Sequence, residues 1–139
     1  MAETWYTAAF GPLYPALYGH RDLDEARRCV EQVARLMPLA GPVLDLGCGD
    51  GRHLASLGPE LQTVGLDLSP ALLKKARLEH GTGTPLVLGD MRLLPVATGS
   101  LGTVLSLFTA FGYFETAHEN ARHVAEVARA LRPGGHWCL

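Results

Sequence analysis

Asp45, Gly47, Gly49 and Gly51 alternate through the stretch Val43-Leu44-Asp45-Leu46-Gly47-Cys48-Gly49-Asp50-Gly51-Arg52-His53. An acid followed by spaced glycines can hold a ligand against bare backbone, because glycine lets the chain turn and approach closely. Val43 to Leu46 reads as a buried parallel strand, and the pattern predicts a helix from near Gly51 through Leu54 and Leu57 to Gly58-Pro59. Strand, glycine turn and helix N-terminus would form a nucleotide-sized cradle with unpaired N–H groups. Asp67 ends a second apolar run, eighteen residues after Gly49. A carboxylate there can accept from both hydroxyls of a ribose and repels phosphate. Each feature alone also fits a plain structure: a tight strand-to-helix turn without ligand, or a strand-end acid beside Ser69. The dinucleotide pattern G-x-G-x-x-G fails, since its third glycine would fall on Arg52.

The elements that position these residues follow from the rest of the 139-residue chain. Its length predicts one domain with a real core. No apolar run reaches the roughly 18 residues of a membrane span, and the N-terminus lacks a basic start before an apolar block. A net charge of −2 advertises no nucleic-acid surface. Cys29, Cys48 and Cys138 are odd in number and far apart, which predicts reduced thiols in a cytoplasmic protein. The six histidines show no ligand spacing, so no metal is expected.

Residues 2–20 carry Trp5, Tyr6, Phe10, Tyr14 and Tyr18 between the breakers Gly11-Pro12, Pro15 and Gly19, a pattern of short helical turns lying over another surface. Asp22 to Glu25 is a capping box, and Leu23, Ala26, Val30, Val33 and Met37 form one helical stripe behind it. A second strand is expected over 62–68, and Ser69-Pro70 opens a helix through Leu72, Leu73 and Ala76 to His80. Pro85 to Leu88 predicts the third strand and Thr103 to Leu107 the fourth. Thr116 and Glu119 cap a helix with the stripe Ala121, Val124, Val127, Ala128 and Leu131, which Pro133-Gly134-Gly135 ends before a fifth strand, His136 to Leu139. Alternating strands and helices imply a parallel sheet whose ligand sits beyond the strands' carboxyl ends.

Asp45-x-Gly47-x-Gly49-x-Gly51 resembles motif I of class I S-adenosylmethionine-dependent methyltransferases. Leu131-Arg132-Pro133-Gly134-Gly135 resembles their turn before strand five, and Phe108 to Phe114 the stretch after strand four in members that act on small molecules. The opening Tyr14-x-x-x-Tyr18-x-His20-Arg21-Asp22 resembles the N-terminal cover of that subfamily. The resemblance implies a Rossmann-like α/β fold, a doubly wound parallel sheet in the order 3-2-1-4-5, with residues 1–42 as helical cover and 43–139 as the cofactor-binding core of one structural domain. It implies S-adenosyl-L-methionine as cofactor and methyl transfer to a small-molecule nucleophile, without nucleic acid or membrane. A non-catalytic module that binds the same cofactor is the alternative.

On the same resemblance the cofactor is held by Asp45, Gly47, Cys48, Gly49 and Gly51, and by Asp67 and Leu68 at the ribose. Asp90 accepts from the adenine amino group and Met91 flanks the ring. Leu107 and Phe108 lie near the methyl-bearing end, Tyr6 or Arg21 approaches the methionine carboxylate, and Tyr113 reaches substrate. Loop acid, core methionine, core filler and surface packing are the bland roles of Asp90, Met91, Phe108, and Tyr6 with Arg21. No residue is marked as a general base. The absence of N/D-P-P-Y argues against methylation of adenine or glutamine nitrogen.

Two departures stand out. Thr98-Gly99-Ser100-Leu101-Gly102 lacks the acids expected before strand four, and the sheet lacks the family's usual last two strands. A bare apolar strand edge at Trp137 to Leu139 predicts an incomplete chain or a homo-oligomer joined through that edge.

Overall fold

The computed structural model describes residues 4–11, 13–108 and 110–139; the breaker Pro12, Thr109 of the aromatic stretch, and residues 1–3 with Ala2 lie outside them. Two short helices, α1 (Trp5–Ala9) and α2 (Tyr14–Leu17), precede α3 (Leu23–Leu36). Then come β1 (Val43–Leu46), β2 (Thr63–Asp67), α4 (Pro70–His80), β3 (Leu86–Leu88), β4 (Leu101–Leu105), α5 (Ala117–Ala130) and β5 (Leu131–Cys138). All strand pairs are parallel, in the expected order β3-β2-β1-β4-β5.

β1 lies at the centre of the sheet and is buried throughout, which explains why it is apolar apart from Asp45. Its side chains alternate between two layers. Leu44 and Leu46 pack with Leu66, Val104, Val127 and Ala130 on the α5 side, while Val43 packs with Val33 and Leu105 on the α3 side. Each such side chain contributes roughly 1.5–3 kcal/mol by leaving water. Asp45 shares the face of Val43 and pairs in register with Gly65 of β2. A Cβ at Gly65 would lie 2.5 Å from Leu54 Cδ1 and 2.8 Å from Cys48 Sγ, so glycine alone lets the following loop close onto the sheet.

The expected helix caps form, although the box on α3 is only half closed, Glu25 Oε2 having no partner among the described residues. Asp22 Oδ1 accepts from Glu25 N at 2.9 Å, Ser69 caps α4, and Thr116 with Glu119 makes a complete capping box on α5. Such a cap is worth about 1 kcal/mol.

Four expectations need correction. No α-helix follows the glycine turn: only a 3₁₀ turn, Leu54–Ser56, forms, because Leu57 and Gly58 are already extended ahead of Pro59. β4 begins and ends two residues earlier than expected. The buried face of α5 is His123, Val127 and Ala130, whereas Ala121, Val124 and Ala128 are exposed. His123 displaces the apolar stripe because its ring stacks on Trp137, 5.6 Å between centroids, with Phe111 against its edge. Finally, α5 stops at Ala130 and Pro133-Gly134-Gly135 lies inside β5. The register jumps from Leu101↔Leu131 to Thr103↔His136, so the turn bulges out of the strand rather than preceding it.

Candidate functional site

A cavity of about 330 Å³ opens at the carboxyl ends of β1, β2, β3 and β4. Gly47, Cys48 and Gly49 form its floor, Asp67 and Leu68 one side, Asp90 and Met91 another, and Leu107 and Phe108 a third. Tyr6, Phe10, Tyr14 and Arg21 of the N-terminal segment lie across the top. Asp45 and Gly51 are the two expected site residues that the lining leaves out. Asp45 is 2% exposed, beneath the floor, and Gly51 turns the loop against Ala76 of α4.

Four N–H groups of the glycine loop are already paired. Gly47 N and Cys48 N both donate to Leu66 O, Gly51 N to Cys48 O, and Gly49 N to Asp67 Oδ2 at 2.8 Å. The expected unpaired N–H groups are therefore spent inside the fold, and with no α-helix behind the loop there is no helix dipole to attract an anion. A phosphate held by these four groups would have to break existing bonds. A neutral or cationic group would not. Gly47 is required twice: its φ is +78°, and a Cβ would meet Ala110 Cβ at 3.2 Å.

Asp67 is held from both sides, by Gly49 N on Oδ2 and Ser69 N on Oδ1, each at 2.8 Å. Burial raises its pKa, and the backbone hydrogen bonds only partly oppose the rise. The carboxylate lines the cavity with acceptor capacity left beyond those two bonds. Asp90 is gripped by Arg92, whose Nη2 donates to Oδ2 at 2.6 Å and whose Nε donates to Oδ1 at 3.0 Å.

The opposite wall is aromatic. Tyr6 meets Phe114 edge-on, Phe10 meets Tyr113 at 5.3 Å, and Phe10 packs on Tyr14 at 5.0 Å, so the cover rests on the stretch after β4. Phe108 has φ +55°, an uncommon conformation for a bulky residue, and it lies between basic groups. His53 stacks on it at 5.3 Å, and the Arg21 and Arg52 guanidinium carbons stand 4.9 and 5.1 Å from its ring centre.

Two groups near the floor titrate far from their ordinary values. Burial and the nearby Asp67 charge push Asp45 up to about 7, although Arg52 opposes this, and its Oδ2 has no partner among the described residues. Burial and the Arg52 charge push His53 down to about 4, so the imidazole is neutral at pH 7.

Sequence reasoning passed over His53, Arg52 and Asp50, which also line the cavity. Asp50 is engaged by Lys75 at 2.7 Å. The missed signal was position: all three lie in or just after the glycine stretch, where an expected helix would have turned some of them away.

A family model described as a methyltransferase domain matches residues 43–135. The chain is 34% identical over 134 residues to the dTDP-3-amino-3,4,6-trideoxy-alpha-D-glucopyranose N,N-dimethyltransferase of Streptomyces venezuelae, covering 94% of this chain and 56% of that protein. It is 33% identical over 125 residues to the trans-aconitate 2-methyltransferase of Acidovorax sp. (strain JS42), covering 87% and 46%. Among solved structures, CalS10 of Micromonospora echinaspora, an amino pentose methyltransferase bound to S-adenosylmethionine, superposes with a TM-score of 0.71 at 35% identity. That match covers 90% of this chain and 54% of CalS10. The chain thus spans about half the length of the relatives it matches.

Proposed function

Since the chain belongs to the methyltransferase domain family, on a match over residues 43–135, we propose that it binds S-adenosyl-L-methionine and serves methyl transfer to a small-molecule nucleophile. One observation carries the reading: the expected site residues other than Asp45 and Gly51 line a single cavity, whose glycine floor has no spare N–H at Gly47, Cys48, Gly49 or Gly51. Such a floor suits a nucleoside that carries a sulfonium instead of a phosphate.

The residues present fit that group. Gly47 and Gly49 leave room for a chain of atoms to run over the floor, and Asp67 offers its acceptors to ribose hydroxyls. Asp90 and Met91 take the base, with Met91 sulfur suited to an aromatic face. Arg21 and Arg52, beside Phe108, balance a carboxylate, and Tyr6 reaches the same end. When bound, the cofactor supplies an activated methyl on sulfur, so the protein need contribute little beyond alignment and exclusion of water. Positioning can lower a barrier by about 7–11 kcal/mol in favourable cases. Aromatic faces such as Tyr113 and Phe114 stabilise a nearby cation by about 0.5–2 kcal/mol each. His53 is buried and lies under Phe108, so the reading assigns it no proton transfer.

Calorimetric titration tests the cofactor. S-adenosylhomocysteine should bind and NAD should not, and the reverse result overturns the reading. Labelled S-adenosylmethionine with a panel of amines, hydroxyls and carboxylic acids then tests transfer. Binding without transfer to any acceptor would leave a non-catalytic module. The reading also places the protein in the cytoplasm, which the free Cys29, Cys48 and Cys138 support, away from nucleic acid and membranes. No helix among the described residues is long and apolar enough to cross a membrane. Association of copies through the outer edge of β5, which pairs with no strand among the described residues, belongs to the same reading, and sedimentation at several concentrations tests it.

A further inference from the structure

Arg92 follows the acid and methionine proposed for the base subsite and holds the acid through several hydrogen bonds. Its backbone N and Nε donate to Asp90 Oδ1 at 2.8 and 3.0 Å, and its Nη2 donates to Oδ2 at 2.6 Å, with Nε shared more weakly at 3.2 Å. Its remaining arm, Nη1, donates to Glu119 Oε1 at 2.5 Å. Glu119 in turn closes the capping box on Thr116. The guanidinium plane also stands 4.5 Å from the centre of the Phe114 ring, in the cavity wall. This one cation fixes the Asp90 carboxylate through a planar fork, which a lysine cannot reproduce. The carboxylate remains one-third exposed and lines the cavity.

We propose that Arg92 is the residue that sets nucleobase selectivity: by forking Asp90 it holds that carboxylate as a fixed acceptor, which selects an amino group over a keto group on the ligand's base. This rests on the cofactor reading above and on Asp90 facing the base. A carboxylate that holds no proton can accept from the 6-amino group of adenine and can only repel the 6-keto oxygen of hypoxanthine. A carboxylate free to rotate off the base makes neither contact well and loses the distinction. Burial raises the pKa of Asp90, and the hydrogen bonds and charge of Arg92 more than reverse this, leaving it below the ordinary carboxylate range. Arg92 acts through Asp90, so it is a positioning residue.

The test compares S-adenosylhomocysteine with S-inosylhomocysteine, which differ at that 6-position, by calorimetry at pH 6 on the full chain. Wild type should prefer the adenosyl ligand. Arg92→Met should lose at least about tenfold of that preference, mainly by losing affinity for the adenosyl ligand, as expected when one charge-assisted contact is lost. Arg92→Lys, which keeps the charge without the fork, should fall between, and it carries the test if Arg92→Met does not fold. Glu119→Gln, which loosens Arg92 from α5 but leaves the Asp90 fork, should keep the wild-type ratio. A merely structural role would weaken both ligands equally, so an unchanged ratio in Arg92→Met and Arg92→Lys overturns the proposal. Wild type that binds neither ligand would overturn the cofactor reading itself, a different outcome.

Discussion

The floor and the cover of the cavity are built on opposite principles. Under the glycine loop, backbone does the work: donors are paired internally, Gly47 and Gly65 are fixed by close contacts, and Asp45 and His53 lie buried with displaced protons. Across from it, the cover is made of side chains, with Tyr6 on Phe114, Phe10 on Tyr113 and Tyr14 on Phe10 through ring contacts of 5–6 Å. α1 and α2 bury no residue of their own. A backbone-built floor has one geometry and suits an invariant ligand. A side-chain cover can be re-cut without refolding the sheet, and suits a variable one. On the proposed function, most of the cofactor belongs to the first and the methyl acceptor to the second.

The sharpest way to break that contrast is Gly47→Val. A β-branched residue at φ +78° with its Cβ 3.2 Å from Ala110 Cβ should cost about 3 kcal/mol or more of stability and abolish binding of S-adenosylhomocysteine. Denaturant melts and calorimetry read both. Phe10→Leu on the cover should change cofactor affinity by no more than about twofold while shifting the KM of the methyl acceptor, since it trims one ring from a stack. Equal losses from the two substitutions would erase the distinction.

Next in size is Asp67→Ala, with an expected loss of about 1.5–3 kcal/mol in cofactor binding, the scale of a charge-assisted hydrogen bond. Sequence alone suggests that fold stability would be spared. The structure adds a cost, because Gly49 N and Ser69 N lose their acceptor. A drop in melting temperature should accompany the loss of affinity, and Asp67→Asn should recover part of the stability but less of the binding. An Asp67→Ala protein that binds normally would remove the carboxylate from the site.

The floor should also show its buried charges in pH dependence. Folded Asp45 titrates near 7 in place of 3.8, so between these values the folded chain holds a proton that the unfolded chain releases. Raising pH through that window therefore destabilises the fold. His53 runs the other way: folded near 4 and unfolded near 6.5, it makes the unfolded chain the proton holder, so stability rises with pH. The two slopes nearly cancel in the wild type between about pH 4 and 6.5. Asp45→Asn should unmask the His53 slope and gain stability over wild type that is absent at pH 4 and complete above pH 7, of the order of 4 kcal/mol. Denaturant midpoints across that range check it, and a constant difference would mean that Asp45 does not carry the displaced proton.

The sheet was legible because β1, β2 and β4 are short apolar runs with glycine or an acid at their ends, and three caps wrote the helix starts. The floor's chemistry was not. That Gly49 N is spent on Asp67 depends on how closely β2 approaches the loop, which spacing along the chain does not encode. His123 was missed for another reason: an apolar stripe is sought among aliphatic residues, and the burial of an imidazole depends on Trp137 and Phe111 meeting it from other elements. Pro133-Gly134-Gly135 has the composition of a helix stop, yet the helix had already ended at Ala130, and the turn serves as a bulge within β5.

Phe108 belongs to both regions, and the smallest expected effect is there. Its ring lies against His53 from the floor and Arg21 from the cover, while its backbone stays at φ +55°. Removing the ring costs the same contacts whichever small residue replaces it, so Phe108→Ala and Phe108→Gly share that loss. They differ in backbone only: alanine keeps the strain at positive φ, roughly 1–2 kcal/mol, whereas glycine relieves it but pays more entropy on folding, roughly 0.5–1 kcal/mol. Phe108→Gly should therefore be the more stable of the two by about 0.5–1 kcal/mol, the reverse of their usual order. Paired denaturant melts resolve that margin. If the alanine variant is the more stable, the positive φ is not fixed by the fold, and Phe108 belongs with the adaptable cover rather than with the rigid floor.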